Sequence, residues 1–169
     1  MVRIFFTLLL ITIAINSNAQ PIEKRYSSYL SEQGTINFLR PKKLDNTVNV
    51  DKFVFDMTYI SRKDSVTINC SLTIKSGGIA KELSINSGDK IIPGNAIHTL
   101  FRDVVKRGYT IRVTSRFSKK EIEECFKNSA PMVFNVTLTD GVICKATYKP
   151  SQWKKESLQV TRILESTTY

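Results

Sequence analysis

FVFDMTYISRKDSVTINCSLTI, residues 53–74, decides how the rest of the chain is read. Phe53, Phe55, Met57 and Tyr59 alternate with Val54, Asp56 and Thr58, a period of two. Arg62-Lys63-Asp64 makes a turn, and Val66, Ile68, Cys70, Leu72 and Ile74 then alternate with Thr67, Asn69, Ser71 and Thr73. Side chains on a strand point to opposite faces in turn, so one face here is apolar and the other polar, as in half-buried antiparallel strands. Ser76-Gly77-Gly78 turns the chain again and Ile79 to Ile85 returns, which reads as a three-stranded meander.

Further on, Pro93-Gly94 ends a short apolar strand at Ile91 and Ile92, and the period changes. Ile97, Leu100, Phe101, Val104 and Val105 fall at i, i+3, i+4, i+7 and i+8, the stripe of an amphipathic helix. Asn95 suits its N-cap, Lys106 and Arg107 its last turn, and Gly108 its C′ position. Tyr109 to Phe117 alternates as a strand, and Ser118 with Glu121 forms a capping box that starts a second helix through Ile122, Cys125 and Phe126. Met132 to Leu138 and Val142 to Tyr148 then read as a hairpin about Asp140-Gly141, with type I′ geometry expected. Pro150 ends the pairing, and Leu158, Val160 and Arg162 hint at a last strand, although Trp153 to Leu164 also fits a helix.

The lead-in Gln20 to Gly34 has Ile22, Tyr26, Tyr29 and Leu30 at helix-like spacing, a docking helix or a loose arm. Thr35 to Leu39 reads as a short strand stopped by Pro41, with loop from Lys42 to Asp51. The expected fold is α+β: mainly antiparallel strands, as a meander with hairpins or as a two-sheet sandwich, with two short amphipathic helices. An all-β sandwich is the alternative. The expected organisation is a signal peptide at 1–19, an arm and loop at 20–51, and one β-rich domain at 52–169.

At the amino terminus, Arg3 precedes an apolar run from Ile4 to Ile15, and Ser17-Asn18-Ala19 offers small residues for cleavage between Ala19 and Gln20. The run is too short to span a bilayer of about 30 Å. The residue directly after Ala19 is Gln20, not the cysteine a lipid anchor needs. The expectation is therefore an exported protein, periplasmic or extracellular, without lipid anchor or transmembrane segment after cleavage. Cleavage leaves 150 residues with 24 basic and 15 acidic side chains, since Arg3 is the one charge removed. A net charge of +9 speaks to anionic partners: polysaccharide, lipid head groups or an acidic envelope protein. Nucleic acid drops out once export is accepted.

Three cysteines in an oxidising compartment permit one disulfide among Cys70, Cys125 and Cys144 and leave an odd thiol. They are too few for a disulfide scaffold and too widely spaced for zinc, and no metal or cofactor is expected. Cys125 or Cys144 as a nucleophile with His98 as base would need an electropositive, partly exposed thiol, whereas all three cysteines fall on core faces. Glu121, Glu123 and Glu124 are explained by the start of their helix, and Asp56 lies on a polar strand face. No catalytic residue is assigned.

The remaining candidate is a basic patch. Arg112 and Arg116 share one strand face, Lys119 and Lys120 follow, and Arg102, Lys106 and Arg107 belong to the preceding element. Clustered guanidinium groups grip carboxylate, phosphate or sulfate through paired hydrogen bonds. The function expected is non-enzymatic binding of an anionic envelope component. The alternatives are a small secreted hydrolase with a site assembled from distant residues, or a structural subunit of an envelope assembly.

Overall fold

The computed structural model describes residues 25–166, so the expected signal peptide lies outside the described residues. The alternation of residues 53–74 becomes two paired strands, β4 (Lys52–Ile60) and β5 (Ser65–Ile74). They stand at the centre of a six-stranded antiparallel sheet. Before them come β1 (Tyr26–Ser31) and β2 (Gly34–Leu44), and beyond them β8 (Asn95–Val105) and β9 (Gly108–Ser118), in the order β1-β2-β4-β5-β9-β8. A second sheet holds β3 (Asn46–Val48), β6 (Ala80–Ser87), β7 (Lys90–Pro93), β10 (Val133–Leu138) and β11 (Ile143–Thr147), in the order β3-β11-β10-β6-β7.

The inward residues of β4 and β5 are all buried, from Phe53 and Phe55 to Leu72 and Ile74. They meet the second sheet ring to ring: Phe134 on β10 lies 5.7 Å from Phe53 and 4.7 Å from Phe55 between centroids. The fold is thus α+β, with two sheets in a sandwich-like arrangement and two helices among the described residues. Helix α1 (Lys119–Lys127) starts where the capping box places it, with the Ser118 hydroxyl accepting from the Glu121 amide. Helix α2 (Pro150–Ser166) buries Trp153, Glu156, Val160, Ile163 and Leu164 along one stripe, which settles the ambiguous carboxyl-terminal segment as helical. Trp153 stacks on Phe126 of α1 and also touches Tyr148, which reaches Phe55. Both helices therefore serve the inward side of the six-stranded sheet. Among the described residues no helix is long and apolar enough to cross a membrane.

Several expectations are corrected. The segment expected as the first helix, Asn95 to Arg107, is the edge strand β8, paired with β9 along its length, and the turn at Lys106-Arg107 that follows it. Two register shifts, between Asn95 and His98 and between Thr99 and Phe101, each insert a residue. Inserted residues break a period of two into the 3-4 spacing that imitates a helix. The strand also has little interior to mark, since Leu100 is 55% and Val104 81% exposed. The meander is corrected too. After Ser76-Gly77-Gly78 the chain crosses to the other sheet, so β6 pairs with β10 and β7, and the second neighbour of β5 is β9.

Residues 26–48 supply three strands where one short strand, Thr35 to Leu39, is expected between a docking helix or loose arm and a loop. Strand β2 runs through Pro41 because the register shifts there. Leu39 faces Met57 and Lys42 faces Phe55, so Arg40 and Pro41 together oppose the single residue Asp56. A bulge is where a sheet tolerates proline, which has no amide hydrogen for the ladder. The type I′ expectation at Asp140-Gly141 also fails. Only Gly141 has positive φ, at 84°, and its amide donates to the Leu138 carbonyl at 3.0 Å.

Candidate functional site

The outward face of the six-stranded sheet is the polar half of the alternation. Asp56, Asn69, Ser71, Thr67, Thr114, Arg112 and Arg116 all point there, with no helix over them among the described residues. Arg112 is held in a fixed pose: Nη2 donates to Asp56 Oδ2 at 2.6 Å and Nη1 to Ser71 Oγ at 2.8 Å. Asn69 Nδ2 donates to the other carboxylate oxygen at 2.6 Å. The four side chains come from three neighbouring strands, β4, β5 and β9, so the ladder sets their spacing.

The bulge at Arg40-Pro41 closes one side of this polar centre. It sets two residues opposite Asp56, beside an open hollow of about 360 Å³ lined by Tyr29, Phe38, Arg40, Pro41, Asp56 and Arg112. Tyr29 and Phe38 sit diagonally on β1 and β2, edge to face with centroids 5.7 Å apart. Both rings project from the sheet, Tyr29 being 61% exposed. Arg40 and Arg116 are exposed, and neither side chain has an ion-pair partner among the described residues. The face thus offers two uncompensated guanidinium groups, one neutralised pair and two rings. Other hollows lie at turns, one beside Gly34 and Arg62 and one beside Asn49 and Lys75, without exposed aromatic rings.

The structure brings only part of the basic set together. Arg112 and Arg116 share this face, about 13 Å apart along β9 at roughly 3.3 Å per residue. Arg102 points to the other side of the sheet edge, where it stacks over the Tyr109 ring at 3.8 Å and donates to the Gly77 carbonyl at 2.7 Å. Lys106 and Arg107 sit at the tip of the β8–β9 hairpin, the whole length of β9 from Lys119. Lys119 is buried over the Tyr59 ring at 5.5 Å, close to Glu123, while Lys120 is exposed on α1.

The thiols are inside. Cys70, Cys125 and Cys144 are free and buried, so no disulfide joins them. Burial pushes the Cys70 thiol far up, with the Asp56 charge adding to it, and raises Cys125 as well. Cys144 is pushed up to about 11, again chiefly by burial. A thiol so raised is protonated near neutral pH and a poor nucleophile. His98 stands exposed on β8 opposite Thr114, away from the core that holds them. Glu121 and Glu124 are met by Lys90 at 3.1 and 3.4 Å.

Tyr29, Phe38 and Arg40 escape sequence reasoning because Tyr29 falls in a segment read as an arm, while Phe38 and Arg40 lie in and just beyond a short strand expected to stop at Pro41. One signal for them exists: Pro41 inside the alternating run from Ile36 to Leu44 marks a bulge in a strand. No family model, curated protein or solved structure matches the chain.

Proposed function

We propose that the chain is an exported binding protein, periplasmic, cell-surface or secreted, that holds an anionic envelope component on the outward face of its six-stranded sheet. The observation that carries this is the pair of guanidinium groups, Arg40 and Arg116, without ion-pair partners among the described residues, flanking the Asp56–Arg112 pair on a face that no described helix covers. Guanidinium groups donate in a planar fork that matches carboxylate, phosphate and sulfate. Export is supported by the charge and apolar pattern of residues 1–19. Binding rather than turnover is favoured by what the face presents, which is donors, hydroxyls and rings, while the thiols are enclosed and protonated.

The test is retention of the purified protein on its own envelope material, with Arg40→Glu and Arg116→Glu as variants. A charge-assisted hydrogen bond is worth about 1.5–3 kcal/mol, so each reversal should weaken retention by about tenfold or more. Unchanged retention removes the face from the function. Sequencing of the native protein should begin at Gln20, and a start at Met1 defeats the exported reading. One observation favours a second reading, a subunit of an envelope assembly: β8 is a sheet edge carrying exposed Leu100, Phe101 and Val104. Its bulges and its charged pair Arg102-Asp103 are the devices that keep an edge from pairing, so we place it second.

A further inference from the structure

We infer that the anionic component is an acidic polysaccharide, laid across the strands with one sugar ring on the Tyr29–Phe38 step and its carboxylates at Arg40 and Arg116. The inference rests on the anion-binding reading above and adds the chemistry of the ligand.

The register of the sheet carries it. Phe38, Thr58, Thr67 and Arg116 form one cross-strand row over β2, β4, β5 and β9. At about 4.8 Å between strands, Phe38 and Arg116 are three spacings, or roughly 14 Å, apart. A single small anion cannot touch both. A linear polymer with a ring and a charge in each repeat can, and the threonine hydroxyls between the two ends suit a hydroxylated chain.

The aromatic step selects further. A phosphate or sulfate alone has no use for a ring, whereas a sugar presents a face of C–H bonds that packs on one. Tyr29 and Phe38, set edge to face, expose such surfaces beside a hollow whose rim is Arg40 and Pro41. Its volume, about 360 Å³, lies at the small end of ligand sites and suits one or two sugar units at a time. The polar centre is already satisfied. Asp56 is bonded by Arg112 and Asn69, so the face meets hydroxyl groups with a preset pattern of donors and acceptors. Its surplus charge comes from Arg40 and Arg116, the sign an acidic polymer requires. A lipid surface is a poorer match, because the row between the two ends is threonine rather than a projecting apolar tip.

The probes are polygalacturonate, the same polymer fully methyl-esterified, and phosphatidylcholine vesicles carrying phosphatidylglycerol. The purified protein is compared with Tyr29→Ala, Phe38→Leu and Arg116→Gln. Trp153 fluorescence confirms that each variant is folded. Expected are binding of polygalacturonate, at least tenfold weaker binding of the esterified polymer, and a loss of roughly fivefold for each ring variant. Pentamers should outbind dimers, because only the longer chain spans the row. Should Tyr29→Ala and Phe38→Leu both bind as the parent does, the aromatic step is not a sugar site and the inference fails. Vesicle binding that falls with Arg116→Gln, without polygalacturonate binding, overturns the polysaccharide and leaves anion capture standing. Binding to neither probe overturns both.

Discussion

Raising the pH from 8 to 10 should destabilise this protein through its enclosed thiols. A thiol in the unfolded chain titrates near 8.5–9. In the fold, Cys144 is raised to about 11 and Cys70 further, so between these limits the folded state keeps protons that the unfolded state has lost. Stability is then full below the unfolded value and falls as pH rises, at about 1.4 kcal/mol per pH unit for each thiol. From pH 8 to 10 each of the two removes about 1.4–1.9 kcal/mol, and together they remove about 3 kcal/mol. Domains of this kind are stable by about 5–15 kcal/mol, so the loss is a large share. The assay is urea unfolding followed by fluorescence of Trp153, the only tryptophan, which stacks on Phe126 in the fold. With a urea dependence of about 2 kcal/mol per molar, the midpoint should drop by roughly 1.5 M. Tyr148 is also raised by burial, but a tyrosine near 10 when unfolded enters mainly above this window. Replacing both Cys70 and Cys144 by alanine should lower the midpoint at pH 8 yet flatten its fall. A midpoint that holds from pH 8 to 10, or rapid labelling of either thiol in the native state, refutes the reasoning.

Two further outcomes follow from the interior. Gly94 donates its amide to the Leu83 carbonyl at 2.8 Å where the chain passes from β7 to β8, and an added Cβ would lie 2.8 Å from that oxygen and 2.9 Å from Phe117. Gly94→Ala should therefore cost about 2–3 kcal/mol, a fall of roughly 10 °C in Tm by calorimetry. Glu156 is buried and accepts from Arg25 Nη2 at 2.6 Å and Nε at 2.9 Å, with Lys42 at 3.6 Å. Glu156→Gln leaves those cations uncompensated and should cost about 3 kcal/mol in urea unfolding.

How far the chain could be read in advance depended on whether an element had an inside. β4, β5 and β9 each bury one full face, so a period of two survives in Phe53 to Tyr59, Val66 to Ile74 and Ile111 to Phe117. The start of α1 was legible because Ser118 and Glu121 act within one turn. β8 was not, since it covers almost nothing and carries two inserted residues that turn alternation into a helical stripe. The partner of β6 was hidden for another reason. Local pattern says that Leu83 and Ile85 face a core, but not which sheet delivers it. The candidate site suffers from both problems at once. Arg112 and Arg116 are visible as one face of one strand, whereas Tyr29, Phe38 and Arg40 join them only through a register of five strands and a bulge.

That register also explains why Asp56, rather than any arginine, should govern how selective the face is. Its carboxylate neutralises Arg112 and is fixed by Asn69, so Arg112 cannot swing out to meet an anion of arbitrary shape. Asp56→Asn keeps the volume but removes the charge, which raises the face by one positive unit and leaves Arg112 held chiefly by Ser71. The pair is partly buried, its side chains 27% and 13% exposed, so its loss lies between that of a surface pair and an interior one, about 1–2 kcal/mol of stability. Anion affinity should move the opposite way. At low salt the variant should bind simple anionic vesicles several-fold more tightly, while its preference for one polymer over another narrows, because a freed guanidinium fits many ligands. The gain should fade as salt is raised through physiological strength, where exposed charges are screened within about 8 Å. Measuring the ratio of polygalacturonate to vesicle affinity in both proteins, at two salt concentrations, checks this. A ratio that stays fixed on removing Asp56 would mean that Arg112 takes no part in discriminating ligands, and the selectivity would have to come from the rings alone.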